Sequence, residues 1–370
     1  MFRGGPRKGL RGRNGGDPLN LIRVMPAKGR TKMRQIPAQT GISNPISIIG
    51  AGVAGTWQAL LFAKTGLKIA VYERDEPAMR RGTSHWAGGM LAPHCESEDA
   101  EPVVTRLGLR SLDLWREALP DTPFNGSLVV AHGRDRADFE RFAKLANGHR
   151  RLDADEIGAL EPALSGRFPE ALFFPGEGHV EPRRVLPILH EKLRAAGVPI
   201  EFRSEARPHD LDGLVIDCRG IAARDACPRL RGVKGETVLV ETCEIALSRP
   251  VRLVHPRWSL YIVPRAGNRF LIGATSIESE DEGVSLRSAL ELMTAAYAVH
   301  PAFGEARIVE FGAGLRPAFP DNLPRVSVDN TRISVNGLYR HGFLLAPAIA
   351  EVTVAHVLGT RTDPEVVRCA

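Results

Sequence analysis

The chain has 370 residues, of which 43% are hydrophobic and 25% charged, an ordinary balance for a globular enzyme with a large core. Its net charge of +6 is concentrated in residues 1–40, which hold ten basic residues but only one acidic residue, Asp17, so the rest of the chain is slightly acidic. The charge therefore argues against nucleic acid as a partner of the folded part, and the absence of any run of about 18 apolar residues excludes a membrane-spanning helix.

Residues 1–43 are predicted to form a disordered basic extension, because they are rich in glycine, proline and arginine and show no apolar periodicity. Three interpretations are open. The segment is a dispensable extension upstream of a start at Met25 or Met33, a basic tail that contacts phosphates or acidic partners, or an organelle transit peptide. It lacks the hydrophobic run of a secretory signal.

The five cysteines are scattered along the chain without C-x-x-C spacing. This pattern is typical of a reducing compartment and argues against a zinc or iron–sulfur site. We therefore expect a cytoplasmic protein without a bound metal.

The strongest motif is the segment 46–74, ISIIGAGVAGTWQALLFAKTGLKIAVYER. Gly50, Gly52 and Gly55 have the G-x-G-x-x-G spacing of a dinucleotide-binding turn between a strand and a helix. The free N–H groups at the start of that helix would face a pyrophosphate. Glu73, at the end of the next strand, can accept hydrogen bonds from ribose hydroxyls. The segment predicts a β-α-β unit that binds a dinucleotide.

Apolar spacing predicts the next elements in chain order. After a loop of small residues come a helix over 103–118, a strand over 127–131 and a helix over 135–146. A strand, a turn, a helix and a further strand follow within 171–203, and a buried strand lies within 213–220.

From residue 236 to 311 the pattern changes to β-rich segments, TVLVE, LYIVPR, RFLIGAT and ARIVEF, interrupted by an amphipathic helix near 285–299. A strand at 331–337 and a closing helix return to the earlier pattern. This order predicts an antiparallel block inserted into an α/β chain.

The predicted fold class is α/β, with a Rossmann-type dinucleotide-binding domain interleaved with an antiparallel-sheet substrate domain. A simple nicotinamide dehydrogenase usually has a contiguous cofactor domain instead. The predicted parts are the basic extension (1–43), a discontinuous cofactor domain (44–125, 178–235 and 312–370) and a substrate domain (126–177 and 236–311).

Four stretches carry a resemblance to a known family: IIGAGVAG with YER, TSHWAGGMLAP, GLRPAFPDNLP and YRHGFLLAP. In this order, they resemble the D-amino-acid-oxidase family of flavoproteins, and within it the glycine oxidases of thiamine biosynthesis. The resemblance implies FAD rather than NAD. It places the adenine end at the glycine-rich turn and the flavin at the domain interface.

The resemblance also implies which residues hold FAD. Those at the pyrophosphate and the adenosine are Gly50, Gly52, Val53, Ala54, Gly55, Glu73, Arg74 and, through its backbone, Val180. Those along the ribitol and the flavin are Thr83, Ser84, Gly88, Gly89, Met90, Leu338, Tyr339, Arg340, His341, Gly342, Phe343 and Leu344.

The segment YRHGFLLAP predicts a helix that begins near Leu344–Leu345 with its free N–H groups directed towards Gly342. If the pyrimidine edge of the flavin lies there, the helix start stabilises the negative charge that reduction places on the ring.

Three residues are implied to bind substrate. Arg316 is expected to bind the carboxylate of an amino acid, because a guanidinium captures a carboxylate through two parallel hydrogen bonds. Tyr261 would donate a hydrogen bond to the same carboxylate and close the pocket, and Arg340 would contact substrate or flavin through its side chain or backbone. The alternatives are a surface arginine at a turn and a tyrosine in a cross-strand aromatic pair.

No resting acid–base residue is required if the substrate amine is neutral, because the Cα hydrogen then passes as hydride to flavin N5 and leaves an iminium product. The sequence departs from the family at Ser259 and Leu338, where relatives carry histidine, at His341, where they carry asparagine, and in DCRG (217–220). These departures leave the substrate preference open.

The expected function is FAD-dependent oxidation of glycine or a similar small amine. The products are an imine, then glyoxylate and ammonia, and hydrogen peroxide from molecular oxygen, with the imine available for thiazole formation in thiamine biosynthesis. A homo-oligomer is possible. The alternatives are an oxidase or dehydrogenase of sarcosine or a D-amino acid, and a partner- or nucleic-acid-binding protein that acts through the basic tail.

Overall fold

The computed structural model describes residues 45–255 and 260–369, so the predicted extension (1–43) lies outside the described residues. The described helices are α1 (Val53–Ala63), α2 (Pro93–Glu96), α3 (Pro102–Ala118), α4 (Arg136–Leu145), α5 (Ala154–Leu160), α6 (Pro182–Ala195), α7 (Leu286–Val299) and α8 (Gly342–Val357). None of these described helices has the length and apolar composition needed to cross a bilayer.

The described strands alternate with these helices in the first third of the chain and dominate the later part. They are β1 (Ile46–Ile49), β2 (Ile69–Glu73), β3 (Met90–Leu91), β4 (Ser127–Val130), β5 (Arg150–Asp153), β6 (Glu170–Phe174), β7 (Gly178–His179), β8 (Ile200–Phe202), β9 (Val215–Asp217), β10 (Arg231–Glu241), β11 (Val251–Leu253), β12 (Leu260–Arg265), β13 (Arg269–Gly273), β14 (Arg307–Ala318), β15 (Arg325–Asp329), β16 (Arg332–Asn336) and β17 (Val367–Cys369).

A seven-stranded sheet forms around the first β-α-β unit, in the order β17-β15-β16-β9-β1-β2-β8. Its pairs are parallel except for the β15–β16 hairpin. β1 is buried along its whole length, as expected for a central parallel strand. The chain continues from β1 to β2 on one side, and β9 adds on the other side. The carboxyl ends of β1, β2 and β9 therefore meet at the switch point where an open α/β sheet binds its ligand.

Helix α8 packs against both α1 and α3. The ring of Trp57 on α1 meets the ring of Trp115 on α3 edge to face, with centroids 4.9 Å apart. The indole N–H of Trp115 donates to the Phe343 carbonyl at 2.9 Å. This buried hydrogen bond fixes the first turn of α8 relative to the core.

The second sheet has eight strands in the order β14-β10-β13-β12-β11-β4-β6-β5. Its longest pairing joins β10 to β14 and places Val233 opposite Arg316 and Gly235 opposite Gly314. The pairs are antiparallel except that β4 runs parallel to β11, so the predicted antiparallel block is mixed at that point. The predicted α/β class with one mainly parallel and one mainly antiparallel sheet is confirmed.

Two predicted domain boundaries, 235/236 and 311/312, fall inside β10 and β14. These strands stay paired as far as Arg231 and Ala318, so their ends extend from the eight-stranded sheet into the range assigned to the cofactor domain. The division into domains stays a prediction.

Candidate active site

A cavity of about 470 Å³ opens at the carboxyl ends of β1, β2 and β9 and extends to β10, β12 and β14. The predicted residues that line it are Gly50, Gly52, Val53, Ala54, Glu73, Arg74, Thr83, Ser84, Gly88, Gly89, Met90, Tyr261, Arg316, Leu338, Tyr339, Arg340, Gly342 and Phe343. The other described ones are buried but do not contribute to the lining: Gly55, Val180, His341 and Leu344.

The glycine-rich turn between β1 and α1 requires its glycines. Gly50 has φ +98°, and a Cβ there would lie 2.6 Å from the Cys218 carbonyl oxygen. A Cβ on Gly55 would lie 1.8 Å from the Gly50 carbonyl oxygen, so α1 approaches the turn as closely as a bare backbone allows. The first turn of α1, which starts at Val53, contains no acidic residue. This helix start is therefore suited to an anion.

Glu73 lies at the end of β2, beside the same turn. Its carboxylate accepts hydrogen bonds from the Ala51 N–H at 2.7 Å and from the Asp75 N–H at 2.9 Å. In this structure it therefore ties the turn to the end of β2, and a ribose hydroxyl would compete with or add to these bonds.

Thr83 and Ser84 lie in a short 3₁₀ turn over Thr83–Trp86 that contacts the start of α1. The Ser84 hydroxyl accepts from the Val53 N–H at 3.1 Å, and the Thr83 hydroxyl donates to the Leu315 carbonyl at 2.6 Å. Ser84 therefore occupies one of the free donors at the helix start.

The chain crosses itself closely at Gly89, which has φ +70°. A Cβ there would lie 2.1 Å from the Val180 carbonyl oxygen, and the Val180 N–H donates to the Gly89 carbonyl at 2.8 Å. This crossing pins the loop that carries Gly88, Gly89 and Met90 against the edge of the cavity.

Tyr261 on β12 lies between two glycines. A Cβ on Gly88 would lie 2.9 Å from its ring, and a Cβ on Gly273, its partner on β13, would lie 3.2 Å away. Burial raises the pKa of the Tyr261 phenol, so the hydroxyl stays protonated and can donate. Both glycines leave the room that this ring occupies.

Arg316 on β14 lies across β10. A Cβ on Gly235 would lie 2.2 Å from Nη2 of Arg316, so the guanidinium rests directly on that glycine. Nη1 of Arg316 donates to the Thr275 carbonyl at 2.9 Å. Among the described residues, Arg316 forms no ion pair with a carboxylate, in contrast to Arg340 and Arg252 below.

Arg340 pairs with Glu96, a residue that the sequence analysis did not select. The distance from Nε of Arg340 to Oε2 of Glu96 is 2.9 Å, and Nε2 of His341 lies 2.8 Å from the same oxygen. Although burial opposes it, the charge of Arg340 and the hydrogen bond from His341 hold the pKa of Glu96 well below its usual value. Glu96 is thus an ionised carboxylate in the cavity wall.

Arg252 on β11 is a second cavity residue that the sequence analysis missed. It donates to the Cys95 carbonyl at 2.9 Å and to Glu98 at 3.0 Å. The signal in the sequence was weak, because an arginine in a short β-strand is usually exposed. Ser259, which stands where relatives carry histidine, lies outside the described residues.

The start of α8 differs from the prediction. The helix begins at Gly342 rather than near Leu344–Leu345, directly after a 3₁₀ turn over Tyr339–His341. Tyr339 has φ +50°, a left-handed conformation that is uncommon for a bulky residue. The 3₁₀ turn leads directly into the helix, whose first residue is the glycine itself.

Comparison with known proteins decides the family. The family model of FAD-dependent oxidoreductases (DAO) matches residues 46–356. The chain belongs to this family. The predicted resemblance and the predicted cofactor are thereby confirmed, and the protein is an FAD-dependent oxidoreductase.

Three members of this DAO family show how close the similarity is. A protein of Rhizobium etli named as a thiamine biosynthesis oxidoreductase, ThiO, is 49% identical, and the alignment covers 86% of this chain and 98% of that protein. A glycine oxidase of Bacillus licheniformis is 28% identical, and the alignment covers 86% of this chain and 94% of that enzyme. The crystal structure of glycine oxidase from Geobacillus kaustophilus matches with a TM-score of 0.73 at 26% identity, covering 86% of this chain and 95% of that one.

The cavity of this DAO-family chain fits FAD. One end has a glycine-rich turn and a helix start without acidic residues, which suit a pyrophosphate. The other end has polar groups on β-strands around an open space, with Tyr261 and Arg316 seated on glycines. The same cavity reaches from the glycine-rich turn to Tyr261 and Arg316, which matches a cofactor with a nucleotide at one end and a reactive ring at the other.

Behind the cavity wall, Glu177 holds the short helix α2 that ends at Glu96. Its side chain is fully buried and accepts from the His94 N–H at 2.8 Å, the Cys95 N–H at 2.9 Å and the Ser127 hydroxyl. Burial raises the pKa of Glu177 from 4.5 to about 7. The Glu177 carboxyl therefore binds a proton more tightly in the folded state than in the unfolded state. The stabilisation that this protonation gives the folded state is lost as the pH rises from about 4.5 to 7.

Glu177→Gln should remove this pH dependence. Between pH 5 and pH 8, the free energy of unfolding of the unmodified protein should fall by about 2 kcal/mol relative to that of the variant. Urea unfolding at saturating FAD at both pH values measures this difference. Glu191→Gln, which changes an exposed carboxylate, is the matched control. Its free energy of unfolding should change with pH as that of the unmodified protein does. If the free energy of unfolding of Glu177→Gln has the same pH dependence as that of the unmodified protein, the raised pKa of Glu177 is wrong.

Proposed function

We propose that the protein oxidises glycine, or a similar small amine, to an imine. The imine is either hydrolysed to glyoxylate and ammonia or used in thiazole formation for thiamine biosynthesis, and molecular oxygen takes the electrons to give hydrogen peroxide. The names of the relatives support this proposal, since one is a thiamine biosynthesis oxidoreductase and two are glycine oxidases.

The observation that carries the proposal is the environment of Arg316. Its guanidinium faces the cavity and has a backbone carbonyl as its hydrogen-bond partner. Arg340 and Arg252, in contrast, are neutralised by Glu96 and Glu98. At the Tyr261 end of the cavity, an arginine without a carboxylate partner in the described residues is suited to bind the carboxylate of a substrate.

Tyr261 completes the substrate site in this proposal. Its protonated hydroxyl donates to the same carboxylate, and its ring covers the bound amino acid. The two residues fix the substrate at one end so that its Cα–H has a single orientation, and catalysis rests on that positioning. When bound, FAD accepts the hydride. A substrate amine that binds in its neutral form needs no protein base at this step.

We further infer how the chain holds FAD. The N–H groups at the start of α1 would hold the pyrophosphate, and Glu73 with Arg74 would hold the adenosine end. Thr83, Ser84 and the loop 88–90 would lie along the ribitol and the flavin. The turn 338–344 would lie along the flavin edge, where the start of α8 at Gly342 supplies free N–H groups. This helix start lies two to three residues earlier than the sequence indicated.

In this proposal the Arg340 side chain does not bind the substrate carboxylate. Its guanidinium is committed to Glu96, so it holds that carboxylate in the wall and contacts ligands through its backbone. A cytoplasmic location and a homo-oligomeric state stay predictions.

The test is a flavin spectrum. The purified protein should be yellow, and anaerobic addition of glycine should bleach the flavin band. Admission of oxygen should then release hydrogen peroxide and glyoxylate in equal amounts. Sarcosine and D-alanine, tested in parallel, separate the related activities. Stable flavin with no bleaching by any of the three would refute the proposal.

A further inference from the structure

The segment that follows β13 continues the sheet beside β10. After Gly273, residues 275–277 pair with Lys234 and Glu236 of β10. The Lys234 N–H donates to the Ile277 carbonyl at 2.8 Å, and the Ile277 N–H donates to the Lys234 carbonyl at 3.0 Å. The Thr275 N–H donates to the Glu236 carbonyl at 3.2 Å. These backbone hydrogen bonds therefore fix the position of residues 275–277 along β10.

Thr275 breaks the ladder in one respect. The Glu236 N–H donates to the Thr275 hydroxyl oxygen at 2.9 Å, where a regular antiparallel pair would use the Thr275 carbonyl. The hydroxyl in turn donates to Oε2 of Glu236 at 2.9 Å. Because the side chain takes the place of the carbonyl, that carbonyl is free to accept from Nη1 of Arg316 at 2.9 Å.

Glu236 is itself held firmly. Its side chain is fully buried, accepts from the Ser285 N–H at 2.8 Å and lies 3.2 Å from Nζ of Lys234. Lys234 also pairs with Asp281 at 2.8 Å. A buried carboxylate with this many partners cannot rotate without leaving several of them unsatisfied. The Thr275 hydroxyl therefore has one orientation.

Strand alternation explains how the network reaches the cavity. Gly235, with Arg316 on it, lines the cavity, whereas Lys234 and Glu236 point to the other side of β10. Thr275 spans the two sides, because its hydroxyl bonds Glu236 and its carbonyl bonds Arg316. The buried ion pair thus reaches the guanidinium through a single residue.

We propose that Thr275 is a positioning residue for Arg316, and that the Lys234–Glu236 pair fixes its orientation. The inference rests on the proposed function, in which Arg316 binds the substrate carboxylate. Loss of the hydroxyl leaves the Glu236 N–H without its partner and draws the Thr275 carbonyl back towards the ladder. Arg316 then loses its only described acceptor and the orientation that two-point carboxylate capture requires.

The experiment compares Thr275→Val, which keeps the shape and removes the hydroxyl, with Thr275→Ser, which keeps the hydroxyl. The probe is glycolate, a carboxylate without an amine, titrated into the holoenzyme and followed by the flavin absorbance change. For Thr275→Val the glycolate Kd should rise about tenfold, as expected for a disturbed hydrogen bond to a charged group. For Thr275→Ser it should stay within about twofold. The KM for glycine should follow the same order.

A double-mutant cycle with Arg316→Ala distinguishes the possible failures. If Thr275 acts through Arg316, Thr275→Val should have no further effect on the glycolate Kd in the Arg316→Ala background. If Arg316→Ala weakens glycolate binding but Thr275→Val does not, this inference is wrong and the proposed function stands. If Arg316→Ala leaves glycolate binding unchanged, the proposed carboxylate site is wrong and this inference falls with it.

A second variant covers the case in which Thr275→Val does not retain FAD. Thr275→Cys keeps a side chain of similar size with a weak hydrogen-bonding group. It should raise the glycolate Kd by several-fold relative to Thr275→Ser. Equal Kd values for the cysteine and serine variants would overturn the positioning role.

Discussion

Replacement of Arg316 by alanine should lower kcat/KM for glycine by about a thousandfold while leaving FAD bound. Truncation of one partner of a buried, hydrogen-bonded charge pair costs about 2–5 kcal/mol, and about 4 kcal/mol corresponds to a thousandfold. FAD should be retained because Arg316 is not among the residues proposed to hold the pyrophosphate and the adenosine, which lie at the glycine-rich turn, the start of α1 and the end of β2. Steady-state peroxide release and the flavin-to-protein absorbance ratio measure the two effects.

Two further variants make the Arg316 experiment specific. Arg307→Ala removes an exposed arginine from the same strand, paired with Glu241, and should leave kcat/KM within about twofold. Arg316→Lys keeps the charge but loses the planar pair of donors, so its activity should fall between those of the alanine variant and the unmodified enzyme. Activity within a few-fold of normal in Arg316→Ala would show that another group binds the carboxylate.

Gly55→Ala should prevent formation of the holoenzyme. The added Cβ would lie 1.8 Å from the Gly50 carbonyl oxygen, which belongs to the backbone of the turn and cannot swing aside. Helix α1 must then move away from β1, at a cost of about 3 kcal/mol or more, and the N–H groups at its start move with it. We expect protein that is largely insoluble or that lacks flavin.

The matched control for Gly55→Ala is Gly133→Ala. Gly133 is exposed, and a Cβ there would meet nothing within 4 Å. This variant should bind FAD and unfold within a few degrees of the unmodified protein, as a surface change of about 0.5 kcal/mol or less implies. A fully flavinated Gly55→Ala protein with an unchanged Tm would contradict the geometry of the turn.

Local signals predicted the parts of this fold that depend on neighbours in the chain. The spacing of Gly50, Gly52 and Gly55 set the turn, and apolar periodicity located α3, α4, α7 and the strands of the first β-α-β unit. The resemblance to a known family singled out Arg316 and Tyr261. Both line the cavity, and their roles towards substrate stay predictions. Where a local signal was overlooked, as in the capping box of Asp153 and Glu156 that begins α5, the element was missed.

The remaining parts of the site depend on contacts between distant segments. Glu96 and Arg340 are 244 positions apart in the printed chain, and nothing in either stretch shows that they pair. Thr275 looks like the last residue of an ordinary β-segment, RFLIGAT, until β10 is placed beside it. The start of α8 was misplaced because the 3₁₀ turn before Gly342 contains a left-handed tyrosine, a conformation that is uncommon for a bulky residue and that the local sequence does not indicate.

Gly88, Gly235 and Gly273 give the substrate pocket an unusual route to new specificity. At each of them, the ring of Tyr261 or the guanidinium of Arg316 occupies the space that a Cβ would take. A one-base codon change from glycine to alanine at any of them adds a single methyl group beneath a binding group whose identity stays the same. Such substitutions can change the orientation of Tyr261 or Arg316 in the pocket. Selection can thereby change which amine is accepted, without a change in the chemistry of the enzyme.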